Sequence, residues 1–147
     1  MPLAFKVFSY DAELVWEGAR TAVVTAGDRS PLRITPPHDF PGGDPSAWSP
    51  EHLFLASLES CTMLSFLAHC SHNGVEVVGY RAAARGELAR REVDRRYAFR
   101  RVEMTVRATV AGGHVELARS LTPKAERDCF ISASINTELR VDWRIEE

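Results

Sequence analysis

The stretch Ser49-Pro50-Glu51-His52-Leu53-Phe54-Leu55-Ala56-Ser57-Leu58-Glu59-Ser60-Cys61-Thr62 decides the fold, because it begins a long helix and carries a cysteine. Ser49 is a favoured N-cap residue, Pro50 suits the first helical position, and Glu51 places a negative charge at the positive end of the helix dipole. Gly74 is a typical residue just beyond a helix. The pattern predicts one helix over residues 50–73, buried on most sides because its apolar residues lie almost all round it.

The apolar run within this helix extends from Leu53 to Cys70 and contains Glu59 and His69. We therefore expect a core helix and not a membrane span. The first six residues lack the layout of a signal peptide. Three cysteines are too few for a secreted disulfide framework, and they suit a reducing compartment in which a disulfide is transient. We expect a cytoplasmic protein.

The chain before the helix predicts short strands followed by a loop. The strands are expected over residues 3–9, 13–16, 21–25 and 32–35. Residues 36–48 are rich in proline and glycine, so regular structure is not expected there. A loop of this length in a small domain usually has a functional role or covers another part of the protein.

The chain after the helix predicts two long strands, two helical segments and a closing strand. They cover residues 75–88 and 97–110, 115–127 and 129–136, and 138–145. An arginine-rich tip at 90–96 joins the long strands, and Pro123 is expected to interrupt the first helical segment. The order of elements predicts one α+β domain over residues 1–147.

Composition excludes some classes of function. The chain has 147 residues, of which 45% are apolar and 26% charged, as is usual for a globular domain with a core of its own. Its net charge of −2 provides no basic footprint for nucleic acid. We therefore expect neither a nucleic-acid nor a membrane partner.

Helical geometry separates the three cysteines. Cys61 and Cys70 lie nine residues apart on one helix, about 13.5 Å along the axis and on opposite faces. A disulfide requires Cα atoms within about 7 Å, so these two cannot pair while the helix is intact. Cys129 lies on a different segment, where it could meet Cys61. The simpler alternative is that Cys61 is a buried core residue, since free cysteine is often buried.

A reactive Cys61 would need help from other residues. It lies about three turns from the start of the helix, where the helix dipole has little effect on its pKa. A reactive thiolate at neutral pH requires a nearby cation, and a thiol that is oxidised to sulfenic acid needs a second thiol to resolve it. An arginine must therefore approach Cys61, and Cys129 is the candidate for the second thiol.

The segment 49–62 resembles the signature helix of the OsmC/Ohr family, in which an Asn- or Ser-Pro-Glu start is followed, ten residues after the Glu, by the reactive cysteine. Asn73-Gly74-Val75 resembles the family's exit from that helix, and the run from Lys124 to Cys129 resembles the helix that ends at its second cysteine. The resemblance covers nearly the whole chain. It implies the OsmC-like fold, with antiparallel sheets around a long buried central helix, and an intertwined homodimer with its active sites at the subunit interface.

The resemblance also implies an activity, the thiol-dependent reduction of organic hydroperoxides. Cys61 would be the attacking thiolate, and Cys129 would resolve its sulfenic acid as a Cys61–Cys129 disulfide. An external dithiol would then reduce the disulfide. Glu51 would hold an activating arginine by a salt bridge. Neither a cofactor nor a metal is implied, since the thiols supply the redox chemistry.

The position of the activating arginine does not follow from the resemblance. The loop over residues 36–48 contains no arginine, so Arg20 is the best candidate, with Arg29 and Arg33 as the others. The position after the second cysteine holds Phe130 where the family has proline. Glu59-Ser60 replaces small apolar residues before Cys61, although Glu59 should point away from the thiol. These departures indicate a divergent member of the family.

Helical rise makes a prediction about Glu51. It precedes Cys61 by ten residues, or about 15 Å along the axis, which a side chain cannot cover. If Glu51 serves the site of Cys61, then either it comes from a second subunit or the helix breaks. The alternative role is simple stabilisation of the helix dipole, worth about 0.3–1 kcal/mol.

Two alternatives to a peroxidase were considered. The missing loop arginine and the lost proline are also compatible with a binding protein for a small apolar ligand, with little or no turnover. His69 and His72, at i and i+3, could suggest a metal, but no third ligand is evident, so no metal site is expected. His52, next to Glu51, is expected at the surface.

Overall fold

The computed structural model describes residues 5–147, and these contain six strands and three helices in the order β-β-β-α-β-β-α-α-β. The elements are β1 Glu13–Gly18, β2 Thr21–Thr25, β3 Leu32–Ile34, α1 Pro50–His72, β4 Val77–Arg90, β5 Tyr97–Val110, α2 Val115–Arg127, α3 Phe130–Ala133 and β6 Glu138–Glu146. This order confirms the α+β class. Of the strand expected over residues 3–9, residues 5–9 form no strand and residues 3–4 lie outside the described part of the chain.

The chain divides into two compact units, Met1–Leu53 and Phe54–Glu147. The prediction that residues 1–147 form a single domain stays a prediction. The first unit contains an antiparallel sheet of order β1-β2-β3. After it, the loop over residues 36–48 has no regular structure, as predicted. Asp44 orders this loop by accepting hydrogen bonds from the hydroxyl and the backbone N–H of Ser46 and from Arg33, which lower the pKa of its carboxyl to about 2.

The second unit contains a sheet of order β4-β5-β6. The strands β4 and β5 form the predicted long hairpin and are antiparallel, whereas β6 runs parallel to β5. The expected antiparallel pairing therefore holds for the other strand pairs and not for β5 with β6. The physical reason is the long connection through α2 and α3, which carries the chain back across the sheet before β6 begins, as parallel pairing requires.

One face of this sheet forms the core with α1 and α2. The buried core residues fall into two clusters: Phe66, Cys70, Val75, Ala108, Val110, Ala118, Leu121, Ala125 and Ile145, and Leu58, Val102, Met104 and Val106. In this single chain α1 buries only the stripe Leu58, Thr62, Phe66 and Cys70. Leu64, on another face, is 61% exposed, so burial on most sides is not reached within one chain.

The residues at the two ends of α1 cap the helix as predicted. The backbone N–H of His52 donates to Ser49 Oγ at 3.2 Å, which confirms the N-cap, and Gly74 follows the helix with a φ of 70°. By length and composition α1 is also apolar enough to cross a membrane. One such helix is weak evidence for a membrane span, because the core helix of a soluble protein satisfies the same criterion.

Pro123 lies inside α2 without interrupting it, so the predicted break is wrong. A proline in a helix leaves the carbonyl four residues earlier without its backbone donor. That carbonyl belongs to Arg119, and the hydroxyl of Thr122 donates to it at 2.9 Å. The replacement donor accounts for the continuity of the helix up to Arg127.

Candidate active site

Cys61 and Cys129 meet in the second unit. Cys61 lies on α1 and is partly buried, while Cys129 is fully buried and caps the N-terminus of α3. The two thiols are close enough for each to shift the pKa of the other, and both are free. Cys70 lies elsewhere on α1, in the apolar cluster around Phe66, where burial raises the pKa of its thiol. The structure thus brings together the two cysteines that the sequence proposed as a pair.

The turn that leads into α3 provides hydrogen-bond donors to both sulfur atoms. The backbone N–H of Ser132 donates to Cys129 Sγ at 3.5 Å, and the buried hydroxyl of Thr62 donates to the same atom at 3.9 Å. The backbone of Ile131 and that of Phe130 act on the other sulfur, where they lower the pKa of the Cys61 thiol against the larger effect of burial. Donors of this kind stabilise a thiolate more than a thiol.

The environment favours a negative charge on Cys129 over one on Cys61. Burial raises the pKa of the Cys61 thiol, and the neighbouring Cys129 raises it further. Burial also opposes ionisation of Cys129, but hydrogen bonds from Ser132, Cys61 and Thr62 outweigh it and lower the pKa of that thiol. The largest influences on Cys61 include no cation. Burial raises the pKa of Glu59, and this carboxyl is not among the groups with the largest influence on the pKa of Cys61.

A cavity of about 410 Å³ opens beside Cys61. Its lining consists mainly of apolar side chains from α1 together with Phe130, and polar groups lie toward the C-terminal end of the helix: Cys61, Leu64, Ser65, Ala68, His69, His72, Asp128 and Phe130. An apolar cavity with a few polar groups is the usual form of a small-molecule site. Cys61 is the thiol of the pair that faces it.

The polar part of this cavity is an ion-pair cluster around Asp128. His69 Nε2 lies 2.8 Å from Asp128 Oδ2, and Arg127 donates to both carboxylate oxygens at 2.7 and 2.9 Å. The hydrogen bond from Arg127, followed by that from His69, lowers the pKa of Asp128 to about 2. From the sequence, His69 was considered as a metal ligand, and its pair with Asp128 was not predicted. The position of Asp128, directly before Cys129, was the available signal.

Glu51 and Arg20 line a separate cavity of about 400 Å³ in the first unit. Arg20 Nη1 donates to the carbonyl of Pro41 at 3.0 Å, and the buried Oε2 of Glu51 has no hydrogen-bond partner within residues 5–147. The two side chains share a cavity without forming an ion pair there. The roles predicted for them stay predictions.

The other two arginine candidates have different contacts. Arg33 forms an ion pair with Asp44 at 2.8 Å, and Arg29 donates to the carbonyl of Ala26 at 3.0 Å. Neither lines the cavity of Glu51. Within the described part of the chain, no three His, Cys, Asp or Glu residues are grouped so that they could hold a metal ion.

Comparison with known proteins identifies the family and the fold. The family model described as OsmC-like protein matches residues 43–144. An OsmC-like protein of unknown function from Vibrio cholerae superposes with a TM-score of 0.84 at 19% identity, over 93% of this chain and 99% of that one. An OsmC-like protein from Mycoplasma pneumoniae gives 0.77 at 12% identity, over 95% and 99% of the two chains.

A third similar structure has a name that refers to an activity. It is an organic hydroperoxide resistance protein from Elizabethkingia anophelis, with a TM-score of 0.72 at 17% identity, over 97% of this chain and 98% of that one. At such identities these structures establish a shared fold. No curated protein matches the chain by sequence.

Proposed function

Because the chain belongs to the OsmC-like protein family, we propose that it is a thiol-dependent peroxidase that reduces organic hydroperoxides to alcohols. The observation that carries the proposal is the pairing of Cys61 with Cys129, in which the partly buried thiol faces a cavity and the fully buried thiol lies behind it. That arrangement suits a peroxidatic thiol and a resolving thiol. The hydroperoxide resistance proteins of the same fold support the choice of substrate class.

The first chemical step takes place at Cys61. Its thiolate attacks the distal oxygen of the hydroperoxide, so that an S–O bond forms as the O–O bond breaks. The alkoxide leaves and takes up a proton as the alcohol, and Cys61 is oxidised to the sulfenic acid. The apolar walls of the cavity, Leu64, Ala68 and Phe130, would hold the organic part of the substrate.

Cys129 acts in the second step. Its thiolate attacks the sulfur of Cys61, the hydroxyl group leaves and becomes water on taking up a proton, and the Cys61–Cys129 disulfide forms. The hydrogen bonds that lower the pKa of Cys129 keep this thiol ready for attack. An external dithiol then reduces the disulfide by thiol–disulfide exchange. We place the protein in the cytoplasm, where such dithiols are maintained.

The first step requires a cation near Cys61, and we propose that a second copy of the chain supplies it. Because α1 runs unbroken from Pro50 to His72, Glu51 on its first turn cannot reach the thiol of its own helix. In a homodimer, the Arg20 and Glu51 of one subunit would serve the Cys61 of the other. Support comes from exposed apolar residues, which are usual at subunit interfaces: Leu14 63%, Val15 64%, Trp16 69% and Leu64 61%.

A second candidate function is binding of a small apolar ligand without turnover. It is favoured by the raised pKa of Cys61 and by the absence of a cation among the largest influences on that pKa. In this case Cys61 would only line the cavity. The discriminating property is the reactivity of Cys61 toward an alkylating agent below its ordinary pKa of about 8.5.

Peroxide consumption in the presence of dithiothreitol tests the proposal. Wild type should consume cumene hydroperoxide faster than hydrogen peroxide, and Cys61→Ser should abolish this turnover. Cys129→Ser should turn over more slowly and without a Cys61–Cys129 disulfide, because only dithiothreitol then reduces the sulfenic acid, while Cys70→Ala, which alters the thiol outside the pair, should retain full turnover. If wild type turns over no faster than Cys61→Ser and Cys61 is slow to alkylate, the peroxidase proposal fails and the binding function is preferred.

A further inference from the structure

Three arginines lie side by side on the outer face of the second unit's sheet. Arg81 on β4 is directly opposite Arg107 on β5, and Arg107 is directly opposite Arg144 on β6. All three side chains are exposed, and the residues that alternate with them along the strands form the core on the other face. Like charges directly opposite each other in a sheet are destabilising.

The other charged rows on this face alternate in sign. One row consists of Arg85, Glu103 and Arg140, and the next of Glu87, Arg101 and Glu138. Arg101 forms ion pairs across both rows, with Glu103 at 3.2 Å and with Glu87 at 3.9 Å. The row of three arginines departs from this pattern, because each arginine is paired in register only with another arginine.

The row has two positive charges that are not matched by an ion pair. Asp142 pairs with Arg144 at 3.1 Å. Within residues 5–147, neither Arg81 nor Arg107 has an ion-pair partner. The row therefore presents two unmatched guanidinium groups, each with a planar set of donors suited to two oxygen atoms of one anion.

A depression of about 380 Å³ lies between these two arginines. It is lined by Arg81, Ala82, Ala83, Thr105 and Arg107. The small side chains of Ala83 and Thr105, directly opposite each other in the next row, leave its floor open. The hydroxyl of Thr105 adds a further hydrogen-bond donor to the wall.

We propose that this depression binds a dianionic phosphate group carried by a small soluble molecule, with Arg81 and Arg107 as its principal ligands. Two guanidinium groups match the charge of a phosphate dianion, and the Thr105 hydroxyl can donate to a third oxygen. Asp142 in the adjoining row and Glu103 in the row after it place carboxylates along the same face, and these repel an extended polyanion, which restricts the site to a small ligand. The site lies on the sheet face opposite the core and is separate from the thiols.

Titration of the full chain with inorganic phosphate at constant ionic strength tests the proposal. Calorimetry should show saturable binding to wild type, with a dissociation constant about tenfold larger in Arg81→Gln and in Arg107→Gln, as expected for loss of one charge-assisted donor pair. Arg85→Gln is the matched control, since Arg85 lies on the same strand and face but outside the depression. At the same phosphate concentration, the melting temperature should rise by a clearly smaller amount in Arg81→Gln and in Arg107→Gln than in wild type and in Arg85→Gln.

Three results would overturn the proposal. The first is the absence of saturable phosphate binding to wild type, and the second is an equal loss of binding in Arg85→Gln. The third is sedimentation with phosphatidic acid vesicles that depends on Arg81 and Arg107 without any response to free phosphate, since it would assign the surface to a lipid headgroup. The stability of each variant without phosphate is the control for misfolding. Because a like charge is removed, Arg107→Gln should be at least as stable as wild type in the absence of phosphate.

Discussion

The hydroxyl of Thr62 donates to Cys129 Sγ at 3.9 Å, and this contact connects the buried stripe of α1 with the turn that begins α3. The hydroxyl is one of several donors that lower the pKa of the Cys129 thiol against the opposing effect of burial. Thr62 lies one residue after Cys61, so a single turn of α1 places both a thiol and a hydroxyl against Cys129.

Replacement of Thr62 by valine should raise the pKa of Cys129. Valine keeps the shape of the buried side chain and removes only the donor, so the fold should be retained. Thiolate absorbance is followed as a function of pH in Cys61→Ser with and without Thr62→Val. Cys70 is present in both proteins, so the difference between their titrations reports the change in the pKa of Cys129. Ser65→Ala is the matched control, since its hydroxyl donates to Ala125 and not to sulfur. An unchanged titration in Thr62→Val would exclude a role for this hydroxyl.

Asp128 should make stability sensitive to acid. Its pKa is lowered to about 2 in the folded chain, below its value of about 3.9 in an unfolded chain, so its stabilising contribution is present above about pH 4. The contribution is lost as the pH falls through about 2. Urea unfolding at a series of pH values should therefore show a smaller loss of stability on acidification for Asp128→Asn than for wild type.

The control for this experiment is Asp142→Asn, which removes an exposed carboxylate from a different ion pair, that with Arg144. It should retain the acid sensitivity of wild type. A loss of stability on acidification that is the same in Asp128→Asn and in wild type would show that the cluster with His69 and Arg127 has no part in acid unfolding.

Gly43 should not tolerate even a methyl group. A Cβ atom at this position would lie 2.0 Å from the carbonyl oxygen of Pro37 and 2.8 Å from the Cα of His38, so the loop backbone would have to move. We expect Gly43→Ala to lower the free energy of unfolding by about 2 kcal/mol, the usual order for a steric conflict of this kind. Gly112→Ala, where nothing lies within 4 Å, should change it by less than about 0.5 kcal/mol. Equal free energies of unfolding for the two variants in chemical denaturation would contradict the close packing of Gly43 against Pro37 and His38.

The predictable parts of this fold are those with local signals. The Ser-Pro-Glu start and Gly74 fix the ends of α1, and the arginine-rich tip fixes the hairpin of β4 and β5. The parallel pairing of β6 has no local signal, because it depends on the direction in which the chain returns through α2 and α3. The continuity of α2 through Pro123 depends on a single replacement donor, the hydroxyl of Thr122, which propensity alone does not reveal.

The site was predictable to a similar degree. Helical spacing excluded a pair of Cys61 with Cys70, and the resemblance to the OsmC/Ohr family implied the pair of Cys61 with Cys129. The structure places these two thiols together. The distribution of charge between them was not predictable, since it depends on Thr62, Ser132 and the turn before α3. His69 and Asp128 are 59 residues apart in sequence, so only the packing of α1 against the end of α2 brings them into contact.

Arg20 and Cys61 should act together only across two copies of the chain. If the activating cation comes from a second subunit, Arg20→Ala and Cys61→Ser should each be inactive alone, while their mixed dimer has one site with both residues intact. After unfolding and refolding of an equimolar mixture, peroxidase activity should return to about a quarter of the wild-type value, because half of the dimers are mixed and each has one working site of two. Refolded wild type and each separately refolded variant are the controls. A mixture as inactive as its components would place Arg20 and Cys61 in the same subunit, and activity in Arg20→Ala alone would remove Arg20 from the mechanism.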